Sequence, residues 1–281
     1  MYDDSHVSES AIRMADVRGV ADLLVAFGRE LEADGAAQVG GSFTGRPEAD
    51  AFLREDPNAF LIGVLFTQGI PAERAWSGPW ELRARLGFWD MDRLAREPAA
   101  VRDAFHQPPM LHRFKNTVPI WVSRAAARLI DEWGGDARNI WADGSHVLDV
   151  TERLSDFSGI GRKKAVMAVQ ILSRHFGVRL LGTECGSVAY DIHVRRVFLR
   201  SGLADQDTPD AMDAAAAAAC PPSPGTLDLP AWLIGRQSCR PIAPLCEECR
   251  LSDVCARRLD FNPVGVPGAV PRSAGRSGAK P

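Results

Sequence analysis

The stretch 154–177, "LSDFSGIGRKKAVMAVQILSRHFG", decides how the rest of this chain is read. In its second part Ala165, Val169, Leu172 and Phe176 recur on one face at helical spacing, which predicts a helix over 162–177. Gly159 and Gly161 stand just before it, with Ile160 between them. Glycine tolerates backbone angles that let a tight turn expose successive N–H groups. At a helix N-terminus those donors and the helix dipole suit a phosphate. A lone G-x-G is more often only a turn, so the residues that follow matter.

Lysine is scarce in this chain: Lys115, Lys163, Lys164 and Lys280 are the whole supply, and two of them open the predicted helix directly after Arg162. A helix N-terminus disfavours a cation and lowers the proton affinity of a lysine placed there. Only a neutral amine is nucleophilic. A pair of phosphate contacts is an equal reading of the same two residues. Further on, in "AYDIHVRRVFLRSG" (189–202), Asp191 precedes the periodic run Val194, Val197 and Phe198, as a helix N-cap does. Most such aspartates only cap. Near an activated lysine, one can also move protons and stabilise developing positive charge.

The remaining chain reads as helical almost throughout. Apolar periodicity predicts helices over 14–35, ending at Gly35, and over 71–76, 79–86, 90–96, 98–105, 116–135, 145–155, 192–201, 209–219 and 229–237. Residues 40–52 form a loop entering a helix. The apolar run 59–68 fits a buried helix or a strand, and its length with no hairpin partner nearby favours the helix. Residues 178–190 have lost periodicity and form a loop or short extended piece. Residues 259–281, rich in Pro, Gly, Ser and Arg, have the composition of a disordered tail. No internal repeat is present.

A chain of 281 residues with 46% apolar content is not disordered as a whole. The polar start "MYDDSHVSES" does not resemble a signal peptide, and no run approaches the roughly 18 apolar residues of a membrane span, so a soluble cytoplasmic protein without membrane association is expected. The net charge of -3 conceals a layout: residues 1–60 hold 12 Asp/Glu against 5 Lys/Arg, and residues 153–200 hold 9 Lys/Arg against 3 Asp/Glu. A local basic region of this kind suits a polyanion, although a solvated basic face balancing an acidic one is the plainer account.

Four of the six cysteines lie inside "CRPIAPLCEECRLSDVC" (239–255), separated by six, two and five residues. Disulfides suit exported chains. Structural zinc usually takes two close pairs, and only Cys246 and Cys249 form one here. A [4Fe-4S] cluster is larger than a single ion and accepts ligands around a wider loop, which favours it. Pro241 and Pro244 stiffen that loop, while Cys185 and Cys220 fall outside the spacing.

Together these motifs resemble the endonuclease III-like group of the helix–hairpin–helix DNA glycosylases, in "FSGIGRKKA", in "YDIHVRRV" and in "WLIGRQSC" through "CEECRLSDVC", over about residues 50–257. The resemblance implies an all-α protein of two helical units with a helix–hairpin–helix DNA-binding element and a C-terminal iron–sulfur cluster loop. One unit would be 14–48 plus 189–258, carrying the [4Fe-4S] cluster on Cys239, Cys246, Cys249 and Cys255. The other would be 49–188, helical and barrel-like. It further implies base-excision repair on double-stranded DNA bearing a damaged, mismatched or modified base, by a monomer located with the nucleoid. Lys163 would be the catalytic amine, with AP-lyase activity through a Schiff base, and Asp191 its carboxylate. Gln68, Gly159, Gly161, Arg162, Lys164 and His193 would contact DNA, with Gln68 filling the gap left by the extruded nucleotide and an aliphatic wedge near Leu111. A monofunctional glycosylase in which Asp191 assists water, and a noncatalytic lesion-binding module, are the alternatives. His193, Tyr190, Glu184 and Trp76 are candidate base contacts, each with an ordinary core or surface role as the plainer reading. Two departures stand out: Ser158 replaces the group's proline before the hairpin, and 182–190 is longer than the usual connection and should border the base pocket.

Overall fold

The computed structural model describes residues 5–33 and 43–261. Among them twelve α-helices follow in order: α1 (Ser5–Ala33), α2 (Pro47–Glu55), α3 (Pro57–Phe66), α4 (Ala72–Leu86), α5 (Met91–Arg96), α6 (Pro98–His106), α7 (Val118–Trp133), α8 (Val147–Ser155), α9 (Arg162–His175), α10 (Ile192–Ser201), α11 (Pro209–Ala219) and α12 (Asp228–Gln237). Short 3-10 turns at 137–140, 183–185 and 224–227 punctuate them. The one extended pairing among the described residues is an isolated bridge between His146 and Leu181, so 178–190 is loop with a brief extended piece. The expected helix end at Gly35 and the tail from residue 262 onward lie outside the described residues.

Local chemistry sets most boundaries. Proline opens α2, α3, α6 and α11, where its missing N–H costs nothing. Asp56, Asp90 and Thr208 cap α3, α5 and α11 with side-chain oxygens. Gly87, Gly134 and Gly202 end α4, α7 and α10 in the left-handed conformation.

One expectation is corrected and another upheld. The helices predicted at 71–76 and 79–86 are one, α4, with Pro79 inside it. A Cβ on Gly78 would sit 2.1 Å from Phe66, so α4 is pressed against α3 through this stretch. Tertiary packing thereby outweighs the backbone hydrogen bond that Pro79 removes. The ambiguous run 59–68 is helical, and every residue from Ala59 to Phe66 is buried. A helix buried all round has no amphipathic signature to read.

The helices enclose two hydrophobic cores. The first takes Phe60, Phe66, Trp76, Phe105, Leu129, Leu154 and Leu172 from α3 to α9. The second takes Val20 and Leu24 from α1 together with Val197, Phe198, Met212, Ile234 and Leu251. No described helix is long and apolar enough to cross a membrane.

In the second core α10 and α12 approach so closely that a Cβ on Gly235 would lie 2.5 Å from the His193 carbonyl oxygen. Two fully buried arginines on α10 reinforce the contact. Arg196 donates to the carbonyls of Cys239 at 2.5 Å and Gly235 at 2.6 Å. Arg200 donates to Arg240 O at 2.7 Å and Pro241 O at 3.2 Å. Replacing Arg196 with Ala leaves those carbonyls unpaired in a buried position. The expected loss is roughly 2–4 kcal/mol in urea unfolding, and an unchanged midpoint would show that the guanidinium holds nothing together.

Candidate functional site

The connection between α8 and α9 is a short hairpin anchored by buried Phe157 and Ile160. Gly159 is required twice: its φ is +92°, and a Cβ there would meet Trp121 at 2.4 Å. Gly161 differs. It is the N-cap of α9 with an ordinary φ of -88°, and nothing lies within 4 Å of where its Cβ would be. The protein does not demand glycine at 161, and the space over the helix N-terminus is open. The first backbone N–H groups of a helix have no intrahelical acceptor, so this end can receive an anion.

Lys163 and Lys164 leave the first turn of α9 in different directions. Lys163 is 53% exposed at its side chain, and its Nζ lies 2.5 Å from Asp191 Oδ2. Asp191 caps α10 with its other oxygen, Oδ1 accepting from His193 N at 2.8 Å. One oxygen of this aspartate therefore caps the helix and the other pairs with Lys163. Burial pushes the Asp191 carboxyl up, yet the charge and hydrogen bond of Lys163, with the His193 N–H, hold it below the ordinary range. The group is a carboxylate at neutral pH.

Lys164 is a correction to the expected phosphate contact. Its residue is only 8% exposed, its Nζ donates to Leu65 O at 3.1 Å, and it lies 5.5 Å from the Trp121 ring centre. A side chain pointed into the core cannot meet a phosphate at the surface. Burial, with repulsion from Lys163, lowers its proton affinity to about 8.

The backbone before Asp191 is tied from several sides. Ala189 N donates to buried Asp228 Oδ1 at 2.6 Å, and Tyr190 donates its hydroxyl to Asp207 O at 2.8 Å. Arg195 pairs with the Asp207 carboxylate and lies over the Tyr190 ring. His193 is half-buried, accepts from Arg196 at Nδ1 at 3.0 Å and meets Trp232 edge-on. Burial lowers its proton affinity, so it stands as a neutral ring.

Gln68 is exposed in the turn between α3 and α4, next to Gly69, whose φ is +65°. Exposed Phe114 packs against Gly69, and Arg113 donates to Gly69 O at 3.2 Å. Leu111, the expected wedge position, is buried; the exposed apolar side chains of that loop are Met110 and Phe114. Across from the turn, Arg236 at the end of α12 reaches Glu73 at the start of α4 at 2.6 Å. The contacts Lys164 to Leu65 and Arg236 to Glu73 bring 65–73 alongside the start of α9 and the end of α12.

Other candidates fall elsewhere. Arg162 is exposed but paired with Asp213 of α11 at 2.7 Å. Residues 184–187, expected beside the base pocket, line a groove of about 360 Å³ with α8, α9 and α11, and neither Lys163 nor Asp191 lines it. Trp76 is core, stacked on Phe60. Asp228, Asp207, Glu73 and Phe114 were not singled out from sequence. Only the aromatic within the polar run "HRFKN" carried a signal there.

The four closely spaced cysteines are half-buried around the loop after α12. Cys239 Sγ lies 3.9 Å from Arg200 Nη1, Cys249 Sγ accepts from Leu251 N at 3.5 Å, and Cys255 Sγ accepts from Arg257 N at 3.4 Å. Burial pushes the Cys255 thiol up, and the charges of Cys239, Cys249 and Cys246 would push it further. The four therefore share one electrostatic neighbourhood. Among the described residues no three His, Cys, Asp or Glu side chains converge as ligands of a single metal ion.

No protein-family model matches the chain. Over 113 residues it is 31% identical to the endonuclease III of Thermotoga maritima, an alignment covering 40% of this chain and 48% of that protein. The chain thus spans about half the length of this curated relative. The fold is similar to that of a thermostable thymine-DNA glycosylase, with a TM-score of 0.59 and 14% identity over 88% of this chain and 98% of the other. It is also similar to a trapped endonuclease III–DNA covalent intermediate, with a TM-score of 0.50 and 18% identity over 75% of this chain and 92% of the other. These likenesses establish the helical fold.

Asp228 yields a prediction. Burial, with the Asp191 charge, pushes its carboxyl up to about 7 against the pull of Ala189 N–H, Arg174 and Lys163. A carboxyl raised on folding favours the folded state below its unfolded value of about 4, and that contribution is lost as pH climbs through about 7. Asp228→Asn keeps an oxygen to accept from Ala189 but cannot ionise. Between about pH 5 and pH 8 the unfolding free energy of the variant should therefore gain on the parent by up to a few kcal/mol. A difference that stays flat with pH would refute the buried ionisation.

Proposed function

We propose that this chain is a DNA N-glycosylase that turns a damaged or modified base, a pyrimidine by preference, out of the duplex and removes it, with strand cleavage through a Lys163 imine. One observation carries the reading: Lys163 Nζ and Asp191 Oδ2, from two different helices, meet at 2.5 Å beside an open helix N-terminus. The likeness to endonuclease III and to a thymine-DNA glycosylase supports the substrate class.

In this mechanism the N–H groups opening α9 hold a phosphate while Gln68 occupies the space left by the extruded nucleotide. Lys163 passes a proton to Asp191, and its lone pair forms a bond to the anomeric carbon. The glycosidic bond breaks, and the base leaves with the bonding electrons and takes up a proton. The sugar ring opens to an imine, and loss of a proton from the adjacent carbon expels the 3′ phosphate. The neutral ring of His193 holds the α10 end of the cleft through Arg196. Two units, 14–48 with 189–258 and 49–188, would meet at this cleft, in keeping with the two separate cores.

Four cysteine thiols of this spacing are the donor type a [4Fe-4S] cluster takes, although among the described residues no three ligand side chains converge on a single ion. Cys239, Cys246, Cys249 and Cys255 would hold it, and thiolates that burial and mutual repulsion disfavour are stabilised by a bound cationic core. Its contribution when bound is structural, fixing the loop against α10. Replacing Cys246 with Ser should remove bound iron, sulfide and visible absorption and lower the melting temperature; retention of iron at four per chain would exclude the site.

The ion pair itself favours a second reading, in which a protonated Lys163 stays paired and Asp191 assists water. Sodium borohydride separates the two. The imine pathway leaves a covalent protein–DNA adduct, lost in Lys163→Ala, and base release without an adduct would mark the monofunctional enzyme. In either case Asp191→Asn should slow release by roughly 10²- to 10⁴-fold. Undiminished lesion binding with no release from any duplex in a panel of single altered bases would leave only a binding module.

A further inference from the structure

We propose that Lys164 is a positioning residue for the reaction above: its ammonium latches the first turn of α9 to the end of α3, and so fixes where the 67–69 turn stands relative to Lys163. The inference rests on the proposed role of that turn in filling the duplex, and it assigns a task to the one buried lysine described here.

The last carbonyls of a helix have no intrahelical donor and carry its partial negative charge. At the end of α3 three of them are met from three directions. Val64 O accepts from Thr67 Oγ1 at 2.7 Å, within the turn itself. Leu65 O accepts from Lys164 on α9 at 3.1 Å. Phe66 O accepts from His112 Nε2 at 3.1 Å, and the same ring's Nδ1 accepts from Phe114 N at 3.0 Å. A ring that donates at one nitrogen and accepts at the other is neutral, and burial holds His112 in that form. Lys164 is thus the only cation among the three.

Gln68 follows Phe66 by two residues, and Lys163 precedes Lys164 by one. The Lys164 contact therefore sets the spacing between the turn and the amine. Trp121 completes the linkage, because its ring lies under Lys164 and also against Gly159 of the hairpin. Packing alone does not require a charge here. A methionine fills a similar volume and removes the desolvation cost of a buried ammonium, leaving the unpaired Leu65 carbonyl as the change that matters. What methionine cannot do is donate to Leu65 O.

The groups facing this ammonium are Lys163 on its own helix, the Leu65 carbonyl on α3, Trp121 on α7 and His112, with Arg74 and Arg113 beyond the imidazole. None of those side chains is an acid. Burial brings the ammonium's proton loss down to about 8, so the latch weakens as pH rises past that value.

Lys164→Met tests the proposal on two probes carrying the same abasic site, one a duplex and one a single strand, with adducts trapped by borohydride and affinities read by fluorescence anisotropy. A single strand has no gap to fill. With Leu65 O left unpaired the variant should melt somewhat lower than the parent, yet stay folded and trap the single-stranded probe within about twofold. On the duplex it should lose about ten- to a hundredfold. The parent's ratio of duplex to single-strand trapping should fall between pH 7 and pH 9, while the variant's stays level. Equal loss on both probes, or no loss on either, overturns the latch. If the parent traps neither probe, the imine reading fails instead, and the latch is judged on anisotropy: the variant must still lose about tenfold in preference for the duplex, and an unchanged preference overturns it.

Discussion

The arrangement depends on α10 being held rigidly at both ends and along one face. Its N-cap is Asp191, whose carboxylate serves the helix with one oxygen and Lys163 with the other. One turn and then another along the same helix, Arg196 and Arg200 send buried guanidinium groups to carbonyls of α12 and of the cysteine loop. Guanidinium suits this task because its donors diverge in a fixed plane and stay charged, so one side chain can bind several carbonyls. A lysine could not do so with the same geometry. Any force that orders the cysteine loop is thereby transmitted to the helix whose first residue positions the carboxylate.

The paired lysines show how one helix turn can separate two tasks. Successive residues on a helix point about 100° apart, so Lys163 faces the cleft and Lys164 faces the core. The sequence placed both at the protein surface, Lys163 as the amine and Lys164 as a DNA contact. Exposure then divides them: the outward amine meets a carboxylate, while the inward one meets a carbonyl and an indole face. The positive end of α9 is unfavourable for both. That penalty is offset for Lys163 by Asp191, and for Lys164 by the negative end of α3.

Much of the helical order was legible because its signals are local. Proline at N1, aspartate at the N-cap and glycine at the C-cap act within a few residues, and they mark α3, α5, α7 and α10 in the sequence itself. Asp191 was legible for the same reason. What escaped was non-local. Pro79 looked like a break, since nothing nearby in sequence reveals that Gly78 lies against Phe66. Asp228 gave no local signal, since its partner Ala189 is 39 residues away. Residues 182–190 carry no periodicity to say which way they face, and residues 184–187 line a groove with α8, α9 and α11.

The same distinction explains why the cleft residues sit where they do. Asp191 must remain ionised although it is largely buried, and a carboxylate achieves that only with several donors and an opposite charge close by. Here the donors are fixed before any substrate arrives: His193 N–H is set by α10, and the segment before Asp191 is set by Asp228 and by the Tyr190–Asp207–Arg195 group. Lys163, by contrast, is half exposed at the end of a flexible stem. A rigid carboxylate beside a mobile amine suits the proposed mechanism: Asp191 stands ready to take the proton that leaves Lys163, and the freed amine has the reach to swing from the pair toward an incoming carbon.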